Sequence, residues 1–223
     1  MPLPATVMSL DRELIRNQVY KTLLIWIVEG ILQPDEKIND AEIAKKLGVS
    51  RTPVRESIRK LEDEGFIETS AQKWTKVARL NVDQLKELIP IIAELETLAL
   101  KTIVDKGLKL DTNKLYELNE KMESSIGTGN YMNTHEYDLS FHNLIISTAA
   151  NSELSKTVSN LKIKLKRIDM IFFKGNILEI DSCKEHKLII DDYLNRDFTE
   201  AQLKLKNHWL DGIKRFEKMK NKL

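Results

Sequence analysis

From residue 12 onward, apolar side chains recur every three to four positions, the spacing that lays one stripe along an α-helix. In Arg12–Leu32 that stripe is Ile15, Val19, Leu23, Trp26 and Ile27. A short second helix starts after Asp40, with Ile43, Ala44 and Leu47 inward. A Gly48-Val49 turn follows, then Ser50 as N-cap of a third helix. Val54, Ile58 and Leu61 form its inner face, Pro53 falls in its first turn, where a missing N–H costs little, and Gly65 suits a left-handed stop. The period then shortens. Phe66–Thr69 and Thr75–Ala78, joined by Ala71-Gln72-Lys73, predict a small hairpin. At Asn81, a plausible N-cap, helical spacing returns with Leu85, Leu88, Ile92, Leu95 and Ala99, and Pro90 predicts a kink. Further helices are predicted at about 111–126, 131–148, 152–175, 180–195 and 198–220. The breaks hold Gly107, Gly127-Thr128-Gly129-Asn130, Asn151, Gly175-Asn176 and Asp197.

The outer face of the third helix carries the chemistry. Arg51, Arg55 and Arg59 stand four apart and form one stripe opposite the apolar one. A short helix, a tight turn and a second helix with a basic outer face is the plan of a helix-turn-helix DNA reader, with the hairpin as its wing. Alone, such a stripe usually reads as a solvated face. The chain therefore reads as mostly α: a winged helix-turn-helix over 1–80 and an all-α antiparallel six-helix bundle over 81–223, with the boundary near Leu80–Val82.

Composition narrows the setting. With 223 residues there is room for two domains. The net charge of +1 means DNA affinity must come from a local patch. One cysteine forbids an internal disulfide and suits a reducing cytoplasm. No run of about 18 apolar residues predicts a membrane span, and Met1–Ser9 lacks the basic start and apolar core of a signal peptide.

Residues 10–80 resemble the DNA-binding domain of GntR-type transcriptional regulators. The resemblance rests on Leu47-Gly48-Val49-Ser50-Arg51-Thr52-Pro53-Val54-Arg55-Glu56, Leu61-Glu62 and Glu64-Gly65-Phe66-Ile67. It implies that Arg51 and Arg55 touch double-stranded operator DNA, with Thr52 beside them and Arg59 on the same stripe. Arginine is shaped for bidentate contact with guanine. Lys73 and Lys76 are placed for phosphates, which add affinity without sequence information. Where the family often has glycine at the wing tip, this chain has Ala71-Gln72-Lys73-Trp74.

Three of the four histidines form a second constellation. Asp138 and His142 lie four apart on one helix face; His186 and His208 lie on the last two helices. Carboxylate and imidazole suit zinc, manganese, nickel or iron. Without context, an Asp-x-x-x-His pair reads as a surface salt bridge or a capped side chain, and the other two histidines as half-buried structural residues. His135 reads as a solvent residue and Cys183 as a buried thiol.

Residues 83–220 resemble the all-helical FCD effector domain of the FadR branch of GntR regulators. The segments that carry it are Asp138-Leu139-Ser140-Phe141-His142, Ala149-Ala150-Asn151-Ser152-Glu153-Leu154, Glu185-His186-Lys187-Leu188-Ile189 and Ala201 to His208. Six helices place it with the shorter, VanR-like members. The resemblance implies that Asp138, His142, His186 and His208 are ligands of a divalent metal. An arginine usual in the first FCD helix is replaced by Ile92, so Arg167 or Lys164 becomes the candidate partner for an acidic effector, against the alternative that both face water.

The expectation is a cytoplasmic, homodimeric regulator of a palindromic operator, answering to a small organic acid at a metal-centred pocket. Two alternatives stand beside it. One is a metal-dependent enzyme fused to a DNA-binding domain, but Glu136 and Glu185 neighbour the site residues only in sequence, about 100° away on the helix, and no nucleophile motif or phosphate loop is present. The other is a DNA-binding regulator with a metal-free dimerisation module.

Overall fold

Asparagine and aspartate side chains mark where most helices begin. In the computed structural model, which describes residues 12–70, 73–173 and 180–220, Asn39, Asn81, Asp111, Asn130 and Asn151 each accept a backbone N–H of the following turn. The chain divides into two compact units, Met1–Leu80 and Asn81–Leu223.

The first unit holds α1 (Arg12–Val28), α2 (Asp40–Leu47), α3 (Arg51–Asp63), β1 (Ile67–Ser70) and β2 (Trp74–Val77). Its core joins Val19, Leu23 and Ile27 of α1 to Val54, Ile58 and Leu61 of α3, with Phe66, Ile67 and Val77 from the hairpin. The strands pair antiparallel, Ile67 opposite Val77 and Ser70 opposite Trp74.

Some boundaries differ from the sequence reading. The first helix stops at Val28, four residues before Leu32, because Gly30 turns left-handed at φ 70°. Asp40 is the first residue of α2, not the residue before it; Asn39 is the cap. Ser50 occupies the N-cap position of α3, yet its hydroxyl makes no capping bond. A cap oxygen commonly takes the N–H of the third helical residue, here Pro53, which has none.

The second unit contains α4 (Leu85–Asp105), α5 (Thr112–Gly127), α6 (Tyr131–Thr148), α7 (Ser152–Ile168), α8 (Ile180–Leu194) and α9 (Phe198–Lys220). Asn81 caps a 3-10 turn, Val82–Gln84, that leads into α4, and α4 runs through Pro90 as a single helix. α4 packs on α9, α7 and α6; α5 packs on α6 and α8; α8 packs on α9. Leu85, Ile92, Leu100, Ile103, Leu115, Met122, Phe141 and Phe216 fill the interior. α7 ends in a π-helical turn, Asp169–Phe173. Met1–Ser9, the wing-tip residues Ala71 and Gln72, and the Gly175-Asn176 break lie outside the described residues. Among the described residues, no helix is long and apolar enough to cross a membrane.

Candidate DNA-reading face and metal centre

On α3, the buried stripe turns Arg51, Thr52, Arg55 and Arg59 to the surface. Arg55 and Arg59 line a groove with Lys73 and Thr75 of the hairpin and Asn39 and Asp40 of the α2 start. Lys73 is exposed. Lys76 is more committed than its sequence position suggests: its ammonium lies 4.6 Å from the Trp74 ring centre and 3.6 Å from Asp35. Arg51 Nη2 and Arg55 Nε both meet the Asp40 carboxylate, at 2.7 and 2.5 Å. Arg55→Ala should weaken binding to a specific duplex by about 1–3 kcal/mol and flatten base preference. A gel-shift titration checks this, and unchanged affinity would refute the assignment of Arg55.

In the second unit, α6 presents Asp138 and His142, α8 presents His186 and α9 presents His208. All four are buried, and one ligand atom from each lies within 4.8 Å of the others. His142 Nε2 and His186 Nε2 are each 3.8 Å from Asp138 Oδ1.

Each imidazole is oriented from behind. His142 Nδ1–H donates to Glu96 Oε2 at 2.7 Å, and His208 Nδ1–H donates to Glu185 Oε2 at 2.6 Å. His186 Nδ1–H donates to Asn119 Oδ1 at 3.1 Å, while Asn119 Nδ2 donates to the Cys183 carbonyl at 3.0 Å, which fixes the amide's direction. All three acceptors are oxygens, so every Nδ1 carries the proton and every Nε2 offers a lone pair. Such backing is how metal-ligating histidines are held. Among the described residues, His142 Nε2, His186 Nε2 and Asp138 Oδ1 are buried with no hydrogen-bond partner. Buried acceptors left unpaired in this way are costly, and three nitrogens with one carboxylate oxygen fit a divalent cation of the zinc, nickel, manganese or iron type.

Glu96 and Glu185, the carboxylates behind the cluster, are each paired with a cation. Glu96 is fully buried, which alone would raise its pKa, but His142 and Lys162 outweigh burial and bring it to about 2. Lys162 Nζ lies 2.5 Å from Glu96 Oε1, and Trp209 Nε1–H donates to Glu96 Oε2 at 2.9 Å. Arg215 Nη1 donates to both Glu185 oxygens at 3.0 and 3.1 Å, and its Nη2 to the His208 carbonyl at 2.9 Å. Burial pushes the pKa of His186 well down, and lowers that of His208 against the pull of Glu185. Both are thereby kept in the neutral form a ligand needs.

A cavity of about 70 Å³ opens beside the cluster, with Asp138, His142 and His208 on its wall. Lys162 and Arg215 also line it; Arg167 does not, being buried elsewhere on α7, and Lys164 is half-buried away from it. His135 is not the solvent residue its position suggested: it lines the cavity with Nδ1 3.9 Å from Asp169, and burial lowers its pKa. Cys183 is buried; burial, with Glu123 and Asp138 adding, pushes its thiol up to about 12.

The sequence reading missed Glu96, Asn119, Lys162, Trp209 and Arg215, and set Glu185 aside. One signal was available. Glu96 interrupts the stripe Ile89, Ile92, Ala93, Ala99, Leu100 and Ile103, and Asn119 interrupts Leu115, Leu118 and Met122. A lone polar residue in an apolar helix face must find a buried partner.

Residues 15–77 match the family described as bacterial regulatory proteins, gntR family, and residues 87–211 match the FCD domain. The chain belongs to the GntR family. This GntR regulator is 24% identical over 197 residues to the HTH-type transcriptional regulator YdhC of Bacillus subtilis, covering 86% of each chain. It is 27% identical over 204 residues to a probable D-xylose utilization operon transcriptional repressor of Paenarthrobacter nicotinovorans, covering 92% of this chain and 89% of that one. E. coli McbR/YncC shares the fold, with a TM-score of 0.75 at 20% identity over 92% of this chain and 98% of the other. The protein is thus a DNA-binding transcriptional regulator with an effector-binding FCD domain, and the relatives of both domains are regulators, not enzymes.

Proposed function

We propose that this regulator reads a palindromic operator as a homodimer in the bacterial cytoplasm, through Arg51, Thr52, Arg55 and Arg59, with Lys73 and Lys76 toward phosphates. In its FCD domain, Asp138, His142, His186 and His208 would hold one divalent cation, and the adjoining cavity would take a small carboxylate. The observation that carries the metal site is the set of buried, unpaired acceptors on Asp138, His142 and His186, with His142 backed by Glu96 and His186 by Asn119. When bound, the cation supplies a Lewis-acid point of attachment for the acid's oxygen.

The chain's own residues set what enters. Lys162 and Arg215, paired with Glu96 and Glu185, are the cations on the cavity wall beside the carboxylates of Asp138 and Asp169, and Ile89, Leu139, Leu165 and Trp209 give it apolar walls. A volume near 70 Å³ admits only a compact acid. Glu96 ties α4 to α6 through His142, and Glu185 ties α8 to α9 through His208. An acid that binds two arrangements of these helices unequally changes DNA affinity by that difference and no more.

Elemental analysis of the full chain purified without chelator should find about one metal per chain. A variant lacking both His142 and His208 should retain almost none. Full occupancy in that variant would falsify the site.

A further inference from the structure

We propose that Asp40 is a positioning residue for base reading: its carboxylate fixes the guanidinium groups of Arg51 and Arg55 together, with the outer edge of Arg55 presented to DNA. Asp40 begins α2, whereas both arginines lie on α3, across the Gly48-Val49 turn. One carboxylate serves both. Arg55 Nε donates to Oδ2 at 2.5 Å; Arg51 Nη2 reaches Oδ1 at 2.7 Å and Oδ2 at 3.1 Å. The Asp40 side chain is 19% exposed, against 54% and 59% for the arginines, so the acid sits under the two cations and not between them and solvent.

The choice of atoms gives this arrangement its meaning. Bidentate contact with guanine O6 and N7 needs two N–H groups on one edge of a guanidinium. By binding Asp40 through Nε, Arg55 keeps the Nη1/Nη2 fork for that contact, and its plane is held before DNA arrives. Arginine carries much rotamer freedom, and freedom removed in advance need not be lost on binding. The Arg51 hydrogen bond outweighs the opposing effect of burial and, with Arg55 adding, holds the Asp40 carboxyl below the usual carboxylate range, so it stays ionised at neutral pH.

A second effect runs the other way. A negative charge on a face that meets phosphates weakens sequence-independent binding. Removing it should therefore strengthen non-specific binding while loosening the geometry that reads bases. Opposite signs on the two kinds of duplex separate this role from others.

The proposal rests on the operator-reading part of the function above and not on the metal centre. Full-length protein would first enrich duplexes from a random-sequence pool, which tests the reading of DNA on its own; no enriched sequence would overturn both. Dissociation constants for the enriched duplex and a shuffled duplex would then be measured by fluorescence anisotropy at one salt concentration. For Asp40→Asn, affinity for the enriched duplex should fall about tenfold while affinity for the shuffled duplex rises. Asp40→Ser, whose side chain also suits a helix start, should behave alike, and Asp40→Glu should recover most of the ratio. If both duplexes tighten by one factor, Asp40 restrains the arginines instead of aiming them. If both weaken by one factor and the melting temperature drops, Asp40 serves only the start of α2. Either result, or a Glu variant as unselective as the Asn variant, overturns the proposal.

Discussion

Glu96→Ala is expected to cost the FCD domain about 3–5 kcal/mol, the usual consequence of removing one partner from a buried ion pair. Glu96 has no exposed surface, and three groups converge on its two oxygens: His142 and Trp209 on one, Lys162 on the other. Alanine would leave the buried Lys162 ammonium, on a side chain only 6% exposed, without its counter-charge. It would also strand the Trp209 N–H and free the His142 ring to rotate. Urea unfolding of the variant beside the parent chain checks this. A loss under about 1 kcal/mol would mean that Lys162 reaches water once Glu96 is gone. The same variant should bind metal about 10–100-fold more weakly, since the group that orients a ligating histidine tunes its affinity.

Loading the chain with zinc and then stripping it with a chelator should lower the melting temperature by roughly 8–16 °C. A ligand bound only to the folded state at a thousandfold excess over its Kd contributes about 4 kcal/mol, and in a protein of this size each kcal/mol moves the midpoint by about 2–4 °C. Small organic acids that stabilise the loaded protein should lose that effect after chelation. An unchanged midpoint with removal proven by elemental analysis would mean that the four side chains make no use of an ion in folding.

The helices and the exposed arginine stripe were legible in the sequence because they depend on local spacing. Val54, Ile58 and Leu61 occupy one side of thirteen residues, so Arg51, Arg55 and Arg59 must occupy the other. Asp138 and His142 were legible as a pair for the same reason. That His186 and His208 join them came from a resemblance; periodicity cannot say which distant helices meet. The supporting residues were hidden by sequence separation, Glu96 lying 46 residues from His142 and Asn119 lying 67 from His186. Glu185 was discounted because it is adjacent to His186 and so points to another side of α8. That other side faces α9, where His208 needs an acceptor. Asp40 was read only as a helix boundary, because its link to Arg51 and Arg55 crosses the turn between two helices.

The three imidazoles and their backing groups draw on five helices: α4 through Glu96, α5 through Asn119, α6 through His142, α8 through Glu185 and His186, and α9 through His208. The proposed coordination sphere would thus sample the alignment of most of the bundle at once. Slippage of any one rod by a fraction of an ångström would degrade such a cage, wherever the disturbance began. Scanning surface variants for altered ion affinity would therefore chart which rods travel when the regulator changes state, even while the trigger is unidentified.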